Sequence, residues 1–274
     1  MINGETESRV NAHYGHQDYA ARILDVMRAA GKDLNSLTAD DIAPSTHFTR
    51  GKAGLLDVLS LADLRPGMRV LDIGSGLGGP ARTLATDFDC QVTGLELTEE
   101  FHRAAVLLTE MTGLNDRVTL VQGNALDLPF PDQSFDAVLT TQIAMHLEDK
   151  ERLYGQIHRV LRPGGQYVFQ DFMAGPEEPM LYPVPWAKDD SVNFIWQPND
   201  IRELLLRLGF RERHWVDQTA GALSAGPMAP AAPGAIPTAP QLLQGDSLPL
   251  NGQMMMRNYE EGRLTIYRGV FVRA

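Results

Sequence analysis

The chain has 274 residues, is 43% hydrophobic and carries 24 basic against 35 acidic side chains, a net charge of −11, with one cysteine. That is enough apolar chain to bury a full core without cross-links, and the lone Cys90 excludes an internal disulfide framework or a CxxC metal or redox site. The acidic balance, with no Lys/Arg block, argues against nucleic acid as the main ligand. The polar start Met1-Ile2-Asn3-Gly4-Glu5 predicts no signal peptide and a cytoplasmic protein.

In chain order, Tyr19, Ile23, Val26 and Ala30 fall on one helical face, with Gly31 as a stop. Thr38 and Asp41 have capping-box spacing for a second helix, which Pro44 is expected to end. A third helical pattern runs from Gly51 to Leu64 through Leu55, Leu56, Leu59 and Ala62. Residues 1–66 therefore predict an N-terminal helical cap, and Pro66-Gly67 opens a second unit over 67–274. There, short β-branched runs at 69–73, 91–95, 118–122, 137–141 and 166–171 alternate with helical stretches starting near Gly79, at the N-cap Thr98 and near Asp149, the last closing at Arg162-Pro163-Gly164-Gly165. Strands separated by helices predict an α/β, doubly wound, parallel sheet.

Further on, Asn199 is placed to cap a helix carrying Ile201, Leu204, Leu205 and Leu208, with Gly209 beyond it. Two late strands, 211–216 and 264–272, flank an Ala/Pro-rich insertion at 219–250 and a polar helical stretch from Met254 to Glu261. The insertion's uncharged part contains Pro227, Pro230, Pro233, Pro237 and Pro240. Prolines at that spacing remove hydrogen bonds that a bilayer cannot replace, so it is expected to be a loop or mobile flap and not a membrane span.

Val70-Leu71-Asp72-Ile73-Gly74-Ser75-Gly76-Leu77-Gly78-Gly79 sits where a strand hands over to a helix, so a ligand can touch backbone at the sheet's carboxyl edge. Gly74, Gly76 and Gly79 alone satisfy the dinucleotide GxGxxG pattern, and Glu96 stands where an acid grips ribose hydroxyls. Asp72 weighs against a dinucleotide: beside a pyrophosphate in a partly dry site, a like charge costs on the order of several kcal/mol. The same carboxylate suits a donor with an ammonium, a sulfonium and no phosphate, as S-adenosylmethionine is.

VLDIGSGLGG, VTGLELT, GNALDLPFPDQSFDAV and LRPGG before a strand, in that order within 68–172, resemble the successive motifs of class I S-adenosylmethionine-dependent methyltransferases. The resemblance implies a mostly parallel, seven-stranded sheet, S-adenosyl-L-methionine as cofactor and S-adenosyl-L-homocysteine as product. It places the backbone of Gly74, Ser75, Gly76 and Gly78, with Asp72, around the methionine moiety. Glu96 goes to the ribose hydroxyls, Leu97 beside the adenine, and Asn124, Ala125 and Leu126 at the adenine edge. Asn124 replaces the Asp common there; its amide oxygen still accepts from the adenine amino group, and a plain turn role is the alternative.

HYGHQDYAARIL, then His47-Phe48-Thr49-Arg50-Gly51 and GSGLGGPART, look like the small-molecule branch that includes sarcosine/dimethylglycine and phosphoethanolamine N-methyltransferases. In the latter a tyrosine from the N-terminal segment and a histidine after the fourth strand meet over the methyl group; the matching residues here are Tyr14 and His146. Gln142, grouped with the cofactor-binding set, stands where those enzymes carry an Asp facing the substrate amine. That change argues against a cationic amine acceptor, and no Arg/Lys cluster marks a substrate phosphate.

Methyl transfer needs alignment and water exclusion, and a base only to strip an O–H or N–H; His146 has the right ordinary pKa, and Tyr14 is expected to orient it or close the site. A core histidine and a packing tyrosine are the alternative roles. Asp171, Trp186 and Trp196 are candidate substrate contacts, the first at the carboxyl edge of the fifth strand, the others as aromatic wall. No metal site is expected. The sequence thus predicts methyl transfer to the N, O or C atom of a small molecule by a monomer or homodimer, without nucleic acid or membrane. Alternatives are a cyclisation or other group transfer on the same fold and cofactor, a non-catalytic cofactor-binding protein, and an NAD(P) oxidoreductase.

Overall fold

The structure is a computed structural model that describes residues 18–48, 50–227, 231–232 and 234–274. Seven strands form one sheet: β1 (Arg69–Ile73), β2 (Gln91–Glu96), β3 (Val118–Gln122), β4 (Phe135–Thr141), β5 (Leu161–Ala174), β6 (Phe210–Asp217) and β7 (Leu264–Arg273), in the order β3-β2-β1-β4-β5-β7-β6. All neighbours run parallel except β7, which lies antiparallel to both β5 and β6. Strand order reverses between β1 and β4, and such a switch point opens a crevice at the strands' carboxyl ends.

Helices cover both faces, so the central strands are buried on both sides and read as near-continuous apolar runs. On one face α6 (Lys150–Val160) and α7 (Pro198–Arg207) pack Leu153, Ile157, Leu204 and Leu205 onto Leu71, Ile73 and Val138. On the other, α3 (Gly51–Leu59) and α4 (Gly79–Asp87) pack Leu55, Val58 and Leu84 onto Val70, Ala137 and Val168. A third cluster joins α1 (Tyr19–Ala29) and α2 (Ala39–Thr46) to α5 (Glu99–Met111) through Ile23, Met27, Ile42, Phe101 and Leu108.

Several expectations need correction. Pro44 does not end α2, which continues to Thr46: at that point the missing N–H deletes only the bond to the Asp40 carbonyl. The helix is held instead by the Thr38/Asp41 capping box and by buried Ile42. Thr98 stands at the N-cap of α5 without capping it; its backbone N–H donates to Glu96. Gln197, not Asn199, precedes α7, whose first turn holds Pro198. The 219–250 insertion is not one loop. It forms α8 (Thr219–Ala225) and α9 (Ala239–Gln244) and then enters α10 (Leu248–Glu260), with Pro240 in the first turn of α9, where its missing N–H costs nothing. Leu242 of α9 joins the α1/α2/α5 core, and Ser45 donates to the Pro237 carbonyl at 2.7 Å.

The end of α2 meets the glycine turn at Gly79, where an added Cβ would lie 2.3 Å from the Thr46 carbonyl oxygen and 2.8 Å from His47 Nδ1. Backbone cannot yield as a side-chain tip does, so Gly79→Ala is expected to destabilise the chain by roughly 1–3 kcal/mol in urea unfolding, as overpacking does. An unchanged midpoint contradicts this packing.

Candidate active site

β1 ends in the turn 74–78, where Gly74, Gly76 and Gly78 all adopt positive φ, and the turn leads into α4. An added Cβ on Gly74 would fall 2.3 Å from Ile143 Cγ2, and one on Gly76 3.3 Å from Phe48, so the absence of side chains lets two other loops close over the turn. Glu96, at the end of β2, braces it: Oε2 accepts from the Gly76 N–H at 2.8 Å and Oε1 from the Thr98 N–H at 2.8 Å.

Asp72 lies one layer down. Alternation along β1 puts it on the face of Val70, beneath the N-terminus of α4, with no exposed surface. No described residue forms a hydrogen bond with either carboxylate oxygen. Burial, and then the charge of Glu96, push its pKa up to about 7, with the Ala81 backbone N–H, which does not reach hydrogen-bond geometry, offsetting a small part. Burial also raises the Glu96 pKa against its backbone N–H bonds. Two buried acids thus share one end of the crevice, and buried Arg82 bonds to neither: its Nη2 donates to the Leu77 carbonyl and its Nη1 to the Thr109 hydroxyl, while its Nε has no partner among the described residues.

After β4 the chain turns at Gln142 with φ 58°, a left-handed conformation that costs a non-glycine residue about 1–2 kcal/mol. The surrounding bonds hold it there. Asp171 Oδ1 accepts from the N–H groups of Ile143 (2.9 Å) and Ala144 (3.1 Å), and buried Lys150 donates to the carbonyls of Ala144 (2.7 Å), Leu147 and Phe194 (2.7 Å). Phe194 N–H in turn donates to the Met145 carbonyl at 2.8 Å. The segment 142–147, which carries Met145 and His146, is therefore pinned on both sides. Burial pushes Asp171 up to about 6 and Lys150 down to about 8, each opposed by the other's charge.

Between turn, loop and insertion lies a cavity of about 270 Å³. Gly74, Ser75, Gly76, Glu96, Leu97, Asn124 and Ala125 line it, as do Gln142, His146 and Trp186. Asp72, Gly78, Leu126 and Asp171 do not reach its wall. Gly78 is the N-cap of α4, facing Arg82 and Ala105, and Asp171 is a buried brace of the 142–147 loop rather than a substrate contact. Trp186 is buried, stacked on Phe172 with centroids 4.3 Å apart, and its Nε1 donates to Asn193 Oδ1 at 2.9 Å. Trp196 is 37% exposed, outside the cavity and 5.9 Å from the Lys150 ammonium, so it is not part of the aromatic wall. Tyr14 lies outside the described residues.

The sequence reading missed Phe172, Met145, Tyr259, Ile266 and Gln170, which also line the cavity, and Lys150, which supports it. Strand alternation at the carboxyl end of β5 was the available signal for Gln170 and Phe172; nothing local marks Lys150. Among the described residues no group of three His, Cys, Asp or Glu side chains is gathered for a metal.

Residues 71–169 match the family described as a methyltransferase domain. The chain is 32% identical over 190 residues to sarcosine/dimethylglycine N-methyltransferase of Halorhodospira halochloris, covering 69% of this chain and 68% of that one. To sterol 24-C-methyltransferase ERG6B of Gibberella zeae it is 44% identical over 102 residues, 37% of this chain, and spans 27% of that protein's length. The solved phosphoethanolamine N-methyltransferase 2 of Haemonchus contortus, in complex with S-adenosyl-L-methionine, has the same fold, with TM-score 0.68 at 19% identity over 93% of this chain and 57% of that one. The chain belongs to the class I S-adenosylmethionine-dependent methyltransferase family, whose cofactor is S-adenosyl-L-methionine.

An unpartnered Asp72 whose native pKa lies above its unfolded value is ionised in the unfolded chain first. Stability is therefore expected to fall as pH rises from about 4 to about 7, since each pKa unit is worth about 1.4 kcal/mol. Asp72→Asn is expected to match wild type near pH 4 in chemical denaturation and to exceed it by a few kcal/mol near pH 8, without ligand. A pH-independent difference contradicts the buried acid.

Proposed function

We propose that the chain transfers a methyl group from S-adenosyl-L-methionine to a neutral, largely apolar small molecule held in the cavity beside His146. The observation that carries this reading is the presence of two unlike linings in one cavity. One is a glycine turn braced by Glu96 above an unpartnered Asp72; the other is a set of apolar side chains, Met145, Phe172, Trp186, Met255, Met256 and Tyr259.

The residues fit the cofactor on their own chemistry. Two buried acids, short of cations among the described residues, favour a positive donor and disfavour a pyrophosphate. Glu96 and the backbone of Gly74, Ser75 and Gly76 offer acceptors and donors to the ribose and methionine ends, and Leu97, Asn124 and Ala125 line the place for the adenine. Asp72 acts through the turn, by its field, since it does not reach the cavity wall. The bound sulfonium supplies an electrophilic methyl and a neutral leaving group.

What remains for the protein is alignment and exclusion of water. The braced 142–147 loop fixes His146 at the cavity, where a ring nitrogen can take the proton of an acceptor O–H or N–H. The apolar wall agrees with an apolar acceptor, such as the sterol in one relative's name, better than with the amino acids named in another. Arg50 is the one charged side chain among the described residues lining the cavity besides Glu96 and any charge on His146, and its Nη2 is turned to the Ala222 carbonyl at 3.1 Å. No described helix is long and apolar enough to cross a membrane.

Incubation with S-adenosyl-L-methionine and a panel of apolar hydroxylated and amino compounds is expected to yield S-adenosylhomocysteine and products 14 daltons heavier, by the mass of one CH₂ (roughly 14). His146→Ala is expected to cut turnover at least about 100-fold while leaving S-adenosylhomocysteine affinity within about threefold. Products of unchanged mass would indicate cyclisation, and unaltered turnover in the variant would remove the base.

A further inference from the structure

Among the polar side chains around the cavity, Gln170 on β5 is 6% exposed and belongs to a chain of hydrogen bonds that leads out to the surface. Its Nε2 donates to Gln218 Oε1 at 2.6 Å, and Gln218 Nε2 donates to Asp57 Oδ2 at 2.9 Å. Asp57, on α3, is paired with Arg268 of β7 at 2.5 Å, and Arg268 Nη1 also donates to the Asp57 carbonyl at 2.7 Å.

The order of these bonds is dictated from the charged end. A carboxylate only accepts, so Gln218 must turn its NH₂ toward Asp57 and its oxygen toward Gln170. Gln170 must then turn its NH₂ toward Gln218. Reversing either amide would set oxygen against oxygen or NH₂ against NH₂, so the network itself assigns both orientations. One Nε2 hydrogen is committed to Gln218, so Gln170 meets whatever occupies the cavity with Oε1, its acceptor, and with the remaining Nε2 hydrogen. It sits at the carboxyl edge of the sheet, where the Gln170 backbone carbonyl accepts from the Gln142 N–H at 2.7 Å, beside the loop that carries His146.

We propose that Gln170 is a specificity-determining residue, its amide oxygen selecting an apolar acceptor that carries a hydroxyl or N–H donor over the same skeleton without one. The proposal rests on the reading of the cavity as an acceptor chamber. An ether or ketone in place of the donor leaves the Gln170 oxygen buried without a partner and sets two acceptors face to face. A site built to bond a hydroxyl rejects the analogue lacking it by far more than an apolar pocket rejects a change of size.

The test uses 2-naphthol and 2-methoxynaphthalene as probes, titrated calorimetrically into the full chain, alone and saturated with S-adenosylhomocysteine. Wild type is expected to bind the naphthol about tenfold more tightly than its ether. Gln170→Met, of similar length, is expected to abolish that preference while leaving the melting temperature and S-adenosylhomocysteine affinity nearly unchanged. Gln218→Leu lies outside the cavity lining but removes the acceptor that fixes Nε2, so it leaves the Gln170 amide free to turn and is expected to weaken the preference too. If Gln170→Met fails to fold, Gln218→Leu still decides. Equal affinities in wild type, binding of neither probe, or an unchanged preference in a folded variant overturns the proposal. Loss of S-adenosylhomocysteine binding with the naphthol preference intact would instead overturn the methyltransferase reading.

Discussion

A carboxylate buried without a hydrogen-bond partner beneath a glycine turn is the constraint around which this site is built. Asp72 occupies a place that alternation along β1 otherwise gives to core residues such as Val70, and Glu96 adds a second acid to the same region. The N-terminus of α4 and the Ala81 N–H favour the ionised form, but burial outweighs them. A group held that far from its preferred charge is destabilising in the free chain. The proposed preference for a sulfonium cofactor rests on this field and not on direct contact.

The acceptor side follows the same logic with opposite materials. The 142–147 loop contains a left-handed glutamine and approaches a buried cation and a buried anion, features that disfavour order unless each polar group is satisfied. Lys150 and Asp171 satisfy them by dividing the loop's carbonyls and N–H groups between them, and the Phe194 bonds attach the segment that leads back to Trp186. The base candidate and the aromatic wall are therefore parts of one rigid assembly. Above them α8, α9 and α10 supply Ala222, Leu243, Met255 and Tyr259, a largely apolar cover suited to keeping water out.

The legible parts of the sequence were those fixed by local chemistry. β1 and its turn could be read because a buried strand followed by glycines at positive φ has few other uses, and the Thr38 capping box because its two bonds are made within four residues. Depth was not legible. Asp72 reads as a charged residue near a ligand, and only packing shows it sealed one layer below. Trp186 and Trp196 are equivalent in composition, and the Asn193 and Phe172 contacts that distinguish them come from the folded chain. Asp171 was placed at the correct strand end, but its facing partners are backbone N–H groups that no side-chain pattern records. The helices of the Pro-rich insertion are not legible from proline content, because a proline in a helix's first turn, as Pro240 is, removes no hydrogen bond.

The central claim, that a buried Asp72 gives up its proton when a cation settles over the turn, is tested most directly by titrating S-adenosyl-L-methionine at pH 6 in buffers of different ionisation heat. Its pKa of about 7 predicts that binding releases protons and that Asp72→Asn releases distinctly fewer, with NAD⁺ giving no binding heat. Binding without proton release in the wild-type chain, or NAD⁺ binding as tightly as the sulfonium, would contradict it.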